Sequence, residues 1–252
     1  MIKRLSAFVL LVFVALMLYQ LVAAWHPIPS LTLLAREYAS RGATELGAAN
    51  LVTAIVVTYR GLDTLGEVAV LFLAATGVGL LLGNRKTKKV SHNGGDAPSG
   101  DTKRVSGHEE KRPSSEILRT GADFLLPVIV MFGAYIFLNG HLSPGGGFQG
   151  GAIVASAILL LFLAYPDYQM RHGVLLAVES LSGFAYVGIA LAALLLTGSF
   201  LDTRLLPLGE FGTMLSAGAI PLIYLLIGLK VGTELAGILE NMRSNDGEEA
   251  PA

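Results

Sequence analysis

The sequence predicts an all-α integral membrane protein of about six transmembrane helices, arranged as two modules of two and four helices joined by a flexible basic linker. Of its 252 residues, 53% are hydrophobic and 15% are charged, whereas about a quarter of the residues of a soluble domain are charged. Several apolar runs approach the ~20 residues that cross a bilayer. Half of the eighteen lysines and arginines lie in one polar segment.

The first apolar run, residues 5–24, follows the basic pair Lys3 and Arg4. A secretory signal peptide begins in the same way, and Val22–Ala24 resembles a cleavage site. The run is longer than the 7–15 apolar residues usual in a signal peptide, so we favour an uncleaved transmembrane helix. Further spans are predicted at 65–83, 121–139, 149–165, 173–197 and 213–232.

The segment 84–119 is rich in basic residues, Ser, Gly, Asp and Pro, and predicts a flexible linker. It divides an N-terminal module, residues 1–83, from a four-helix module, residues 120–240, which an acidic tail follows at 241–252. The positive-inside rule places the N-terminus, the linker and the C-terminus in the cytoplasm of a cell-membrane protein. An even number of spans must then precede the linker. The short segment 43–59 is therefore predicted as a re-entrant or interfacial helix.

The most unusual stretch is GHLSPGGGFQGG, residues 140–151. It formally matches the dinucleotide pattern G-x-G-x-x-G, but that site needs a strand before the loop, and both flanks here predict transmembrane helices. We expect instead a tight hairpin on the outer side, whose glycines allow close docking against neighbouring subunits. Gly228-x₃-Gly232 is a second small-residue pattern that favours close helix packing. The residues of the hairpin motif are Pro144, Gly145, Gly146, Gly147, Phe148, Gly150 and Gly151.

Asp63 and Glu67 are four residues apart, so a helix would present both carboxylates on one face, with Arg60 one turn earlier. One interpretation is an interfacial helix start, in which the aspartate caps the helix and pairs with the arginine. The other is that Glu67, inside an apolar run, faces a hydrated proton or cation path.

Three further ionisable residues lie within or beside predicted spans. Glu179 is well inside the span 173–197, where an unpaired carboxylate is costly, so we expect it to face a bundle interior or a wet cavity. Lys230 and Glu234 are i, i+4 neighbours and can pair, although Lys230 could equally extend to the membrane surface. All three are candidate ion-path residues.

Asp123 and His141 are supporting candidates. Asp123 is at the start of its predicted span and could cap that helix, and His141 is more typical of a structural hydrogen-bond donor than of a ligand. The chain has no cysteine, and its five histidines make no metal-ligand spacing. We therefore expect no metal, no cofactor, no nucleic acid and no catalytic residue, which argues against an enzyme acting on its own.

Residues 121–123, 140–151, 221–224 and 227–232 together resemble the B-type (MnhB/MrpB-like) subunit of the Mrp-type multisubunit Na⁺/H⁺ antiporters, whose hallmark is GH-x-x-PGGGF-x-GG. Residues 47–55 and 59–67 resemble the C-terminal region of the Mrp A-type subunit, and the E-type subunit of membrane-bound hydrogenases. The resemblance implies a fusion of two ancestral subunits. The family often has an aspartate where this chain has Thr58, so the role of that carboxylate does not carry over.

The resemblance implies membership of a Na⁺/H⁺-exchanging complex related to the antiporter-like arm of respiratory complex I. The expected partners are the A/D-like, C-like and E/F/G-like antiporter subunits, lipid, Na⁺ and H⁺, with hydrogenase or other redox subunits as a second setting. By matched position, Asp63 and Glu67 are the stronger ion-path candidates. The alternatives are a scaffold role with no ion path and, less favoured, a standalone channel or carrier.

Overall fold

The computed structural model describes residues 2–24, 30–92 and 114–246, and these ranges contain helices and no β-strand. A π-helical turn spans Ile55–Tyr59, and a 3₁₀ turn spans Thr203–Leu205. The α-helices are α1 Ile2–Ala23, α2 Leu33–Leu46, α3 Leu51–Ala54, α4 Gly61–His92, α5 Glu116–Leu138, α6 Gly147–Ala164, α7 His172–Thr197 and α8 Ile220–Asp246.

Five of the described helical segments are long and apolar enough to cross a membrane, and α1 adds a shorter apolar stretch, Ala7–Gln20. The predicted all-α membrane fold is thereby confirmed, while the division into two and four spans stays a prediction. The five segments are Gly61–Leu82, Glu116–Leu138, Gly147–Ala164, His172–Thr197 and Ile220–Arg243.

The last helix begins later than the sequence predicts, at Ile220 instead of residue 213. Ala217 and Gly218 have φ angles of 68° and 59°, which interrupt a right-handed helix. Pro221 then falls in the first turn of α8, where its fixed φ is accommodated and its missing N–H costs nothing.

The predicted linker, 84–119, is shortened at both ends by helix. The backbone of α4 is helical to His92, and α5 begins at Glu116 with the Ser115 hydroxyl accepting from the Leu118 amide. Lysine and arginine are good helix formers, so a helix leaving the apolar region continues through them. The middle of the predicted linker, 93–113, and the second half of the acidic tail, 247–252, lie outside the described residues.

Residues 1–37 form one compact unit and residues 38–252 a second. In the second unit α8 is central, because α4, α5, α6 and α7 all pack against it. Helix α4 of the predicted N-terminal module thus shares a packed bundle with the four helices of the predicted second module. The core includes Tyr186, Ala190, Ile220, Ile223, Tyr224, Ile227 and Val231.

The bundle has two ends. The loop end comprises residues 47–60, 139–146 and 198–219, which meet one another, as in the 2.8 Å contact between the Thr58 and Thr203 hydroxyls. The linker end comprises residues 114–115, 165–171 and the last turns of α8, where Arg243 donates to the Pro166 carbonyl. The segment 43–59 lies at the loop end; its re-entrant character remains a prediction.

Candidate functional site

Segment 50–53, which belongs to the N-terminal predicted module, holds the glycine hairpin in place. The Asn50 side-chain amide donates to the carbonyls of Gly140 and Ser143, both at 2.9 Å, and its oxygen caps α3 by accepting from the Val52 and Thr53 amides. The Thr53 hydroxyl also donates to the Gly140 carbonyl at 2.7 Å. The sequence interpretation treated Asn50 only as an interruption of an apolar run and missed this role.

The glycines of the hairpin pack against their own chain. A Cβ on Gly140 would lie 2.6 Å from the Tyr224 ring, and one on Gly151 would lie 2.7 Å from the Gly228 carbonyl oxygen. The Tyr224 hydroxyl then donates to Thr53 at 2.9 Å. Within this chain the close approach at these glycines is needed where α6 and the hairpin meet α8. The expectation that the hairpin docks against neighbouring subunits stays a prediction. The predicted close packing at Gly228 is confirmed.

His141 is fully buried in the hairpin, with Nε2 3.3 Å from the Thr213 carbonyl. Burial lowers the pKa of His141, and hydrogen bonding to the Thr213 carbonyl offsets part of that effect. A neutral imidazole that donates to a backbone carbonyl suits this position.

A polar cluster fixes the π-helical turn at the loop end. The Tyr59 hydroxyl donates to Glu45 at 2.9 Å, and Arg204 lies 3.3 Å from Glu45 and 2.8 Å from Asp202. Burial and the bond to Glu45 raise the pKa of Tyr59 to about 12, whereas hydrogen bonds from Arg204 lower the pKa of Asp202. Tyr38 stacks on Tyr59 with ring centroids 4.8 Å apart.

Asp63 and Glu67 both lie exposed on α4, as the spacing predicts, but they have different neighbours. Asp63 pairs with Arg60 at 2.6 Å on an exposed surface, as the interfacial interpretation expects. Glu67 is exposed and lines an open groove of about 590 Å³ together with Phe148 and Gln149 from the glycine hairpin. It lies six residues into α4, roughly 9 Å along the axis at 1.5 Å per residue.

The other candidate residues come together inside the bundle. The Lys230 ammonium is 3.7 Å from a Glu179 oxygen and 3.3 Å from a Glu234 oxygen, and it lies 5.3 Å from the centre of the Phe72 ring. The Glu234 side chain is only 1% exposed, and apart from this ion pair neither of its oxygens has a hydrogen-bond partner among the described residues. The ammonium therefore points into the bundle instead of extending to the membrane surface.

A cavity of about 390 Å³ extends from this cluster toward the linker end. Glu179 and Glu234 line its deep part, and His172 and Asn241 line its outer part. His172 also lies 3.5 Å from Glu240, a carboxylate that is buried near the mouth. The cavity thus connects the bundle interior with one end of the bundle.

Tyr186 was missed by the sequence interpretation. Its ring is buried in the hydrophobic core of the bundle, and its hydroxyl makes no hydrogen bond with the described residues. The Glu67 carboxylate interacts electrostatically with both Tyr186 and Tyr224. A signal was present, because Tyr186 follows Glu179 by seven residues, which is two helical turns on the same face.

Asp123 does not cap a helix, since α5 begins seven residues earlier and Ser115 is its cap. Instead, its carboxylate accepts a 2.5 Å hydrogen bond from Tyr165. That bond raises the pKa of Tyr165. Asp123 therefore ties α5 to the end of α6. The described residues contain no group of three or more acidic, histidine or cysteine side chains placed to hold a metal.

The described residues contain five membrane-length helices, a closely packed glycine hairpin and a group of charges within the helix bundle. These features define an integral membrane protein of the kind found in ion-translocating complexes. Residues 117–237 match the family described as a domain related to the MnhB subunit of Na⁺/H⁺ antiporters, and residues 2–92 match the family of the MbhE subunit of MBH. The chain therefore carries an MnhB-related domain preceded by an MbhE domain.

Solved structures share both parts of the chain. A chain of the membrane-bound sulfane sulfur reductase, an archaeal respiratory membrane complex, is 40% identical with a TM-score of 0.70, and the match covers 96% of this chain and 98% of that one. A chain of the Mrp complex from Dietzia sp. is 25% identical with a TM-score of 0.68, over 99% of this chain and 27% of that one.

Another relative matches a smaller share of this chain. The B-type subunit of the Na⁺/H⁺ antiporter of Bacillus subtilis is 43% identical over 94 residues, which are 36% of this chain and 62% of that protein. This chain therefore spans less than two thirds of that relative and about a quarter of the matched Mrp chain.

Proposed function

We propose that this protein is a membrane subunit of an Mrp-type cation/proton antiporter module and that it contributes part of the ion path. Its MnhB-related domain and its likeness to chains of two multisubunit membrane complexes support this function. Its role in the complex is non-catalytic, and a respiratory redox complex such as the sulfur reductase is a second setting for the same module.

The observation that carries the proposal is a series of polar groups across the bundle. Glu67 lies near the loop end, Tyr186 follows within its electrostatic range, and the Lys230 cluster with its cavity continues to the linker end. Ionisable groups inside a membrane bundle are costly and mark ion pathways. Packing alone would be served better by apolar side chains at these positions.

Partner subunits complete the path at Glu67. An exposed carboxylate among Val70, Leu71 and Phe148 faces an apolar environment if the chain is alone in lipid. A neighbouring membrane protein that covers this groove would supply a polar or basic partner for the carboxylate. By the positive-inside rule, the basic linker and N-terminus favour a cytoplasmic location for the linker end of the bundle. The loop end then lies on the outer side of the membrane.

The test is Na⁺-dependent proton exchange in membrane vesicles that carry the whole complex with Glu67→Gln, with assembly checked on a native gel. Glu116→Gln is the matched control, because Glu116 is an exposed carboxylate at the start of α5 and is not an ion-path candidate. We expect Glu67→Gln to assemble and to lose most exchange, and Glu116→Gln to retain it.

A scaffold role is the second candidate, and the hydrogen bonds from segment 50–53 to the glycine hairpin favour it. If Glu67→Gln assembles and exchanges as the wild type does, the ions pass through partner subunits and the scaffold role stands.

A further inference from the structure

We propose that Glu179, Lys230 and Glu234 form a proton-binding site that is loaded from the linker end, and that this site does not bind a metal cation. The proposal deepens the proposed function, on which it rests, by naming the ion and the side of access. Glu234 supplies the key observation, because it is a carboxylate almost fully removed from solvent whose oxygens have no hydrogen-bond partner among the described residues beyond the ion pair with Lys230.

The charges of the cluster do not balance. Two carboxylates surround one ammonium, so the fully ionised cluster carries a net charge of −1 inside the bundle. An uncompensated charge in a low-dielectric interior is strongly unfavourable, and a buried carboxylate relieves it by taking up a proton. One proton bound by the carboxylate pair leaves the cluster neutral, and no electron transfer accompanies the step.

Lys230 argues against a metal cation in the same place. Its ammonium is 3.3 Å and 3.7 Å from the two carboxylates, so it already occupies the position between them. A hard cation needs several oxygen ligands at short distance, and Lys230 would repel it. The Thr233 hydroxyl is committed to the Leu229 and Lys230 carbonyls, at 2.8 Å and 3.0 Å.

The cavity supplies access from the linker end, because its lining runs from Glu179 and Glu234 to His172 and Asn241. Its volume of about 390 Å³ is far above the ~30 Å³ that one water occupies, and polar side chains line its length. The charged groups that face it are Glu179 and His172 from α7, and Glu234 from α8, with Lys230 and Glu240 beside them. Helix α4 contributes uncharged residues, including Phe72 and Thr76.

The site is tested by infrared difference spectroscopy of the assembled complex during a pH titration in H₂O and D₂O. The wild type should show a protonated-carboxyl band that shifts in D₂O, and Glu234→Gln should lose it. Glu116→Gln removes an exposed carboxylate at the linker end and should leave the band unchanged. Loss of the band in Glu116→Gln, or its persistence in both Glu234→Gln and Glu179→Gln, would overturn the proposal.

Lys230→Gln provides a second, directional readout. Without the ammonium the two carboxylates repel each other, so the band should titrate at a pH higher by at least about one unit, a tenfold change in proton affinity. An unchanged midpoint, or a band that Na⁺ displaces in the wild type, contradicts the assignment. Because these spectra need no transport, their outcome is independent of the exchange assay with Glu67→Gln.

Discussion

Replacing Asn50 by alanine removes the side chain that joins the first part of the chain to the glycine hairpin. The variant loses the two 2.9 Å bonds to the Gly140 and Ser143 carbonyls and the cap on the first turn of α3. Gly140 keeps a bond from Thr53. The Ser143 carbonyl has no second donor among the contacts of the described residues.

The expected destabilisation follows from these losses. A lost helix cap costs about 1 kcal/mol, and a half-buried carbonyl left without its donor costs about 1–3 kcal/mol. The sum is about 2–4 kcal/mol. At roughly 2–4 °C per kcal/mol for a chain of this size, the midpoint of thermal unfolding should fall by at least about 4 °C.

The assay heats the assembled complex in detergent and follows the retention of this chain on a native gel. Asn50→Asp is the matched variant: it keeps the acceptor that caps α3 but replaces the donor to the two carbonyls with a repelling oxygen. It should be destabilised at least as much as Asn50→Ala. If both variants melt with the wild type, the Asn50 contacts do not hold the hairpin and the reasoning is wrong.

Three other perturbations give separate expectations. Gly151→Ala places a Cβ 2.7 Å from the Gly228 oxygen and should reduce assembly on a native gel, whereas Gly188→Ala, with nothing within 4 Å, should assemble normally. Burial lowers the pKa of His141, so its contribution to stability is present above the unfolded pKa of 6.5 and is lost as pH falls below it; thermal melts should show less of this loss in His141→Gln. Tyr186→Phe deletes an unpartnered buried hydroxyl, so stability should hold while exchange in vesicles slows; unchanged exchange would remove Tyr186 from the path.

Composition and run length were sufficient to predict the five membrane-length helices of the described residues, because a bilayer imposes its thickness on any helix that crosses it. The span predicted at 5–24 stays a prediction. The hydropathy pattern predicted that α8 begins at residue 213, seven residues too early. Ser216 and Ala217 do not interrupt an apolar run, so hydropathy gives no sign that the helix begins after them. The left-handed backbone at Ala217 and Gly218 depends on tertiary contacts with the 3₁₀ turn, which hydropathy does not describe.

The candidate charges were predictable one helix at a time. The i, i+4 spacing of Lys230 and Glu234 indicated a pair, and the structure has them 3.3 Å apart. Their approach to Glu179 depends on the rotation of α7 against α8, which no spacing within one helix specifies. The same holds for Asn50, whose partners are 90 and 93 residues away along the chain.

The contact between Gly151 and Gly228 has a mechanical consequence. Where backbone touches backbone, no side chain can change rotamer to absorb a displacement, so α6 and α8 move as one rigid body. Lys230 and Glu234 are residues of α8 and lie within two helical turns of this contact. Helix α4 contacts the Lys230 side chain through the Phe72 ring. This contact joins two side chains, which can change rotamer and so absorb a displacement. We therefore expect any widening or narrowing of the cavity to come from displacement of α4 and α7 relative to Lys230 and Glu234.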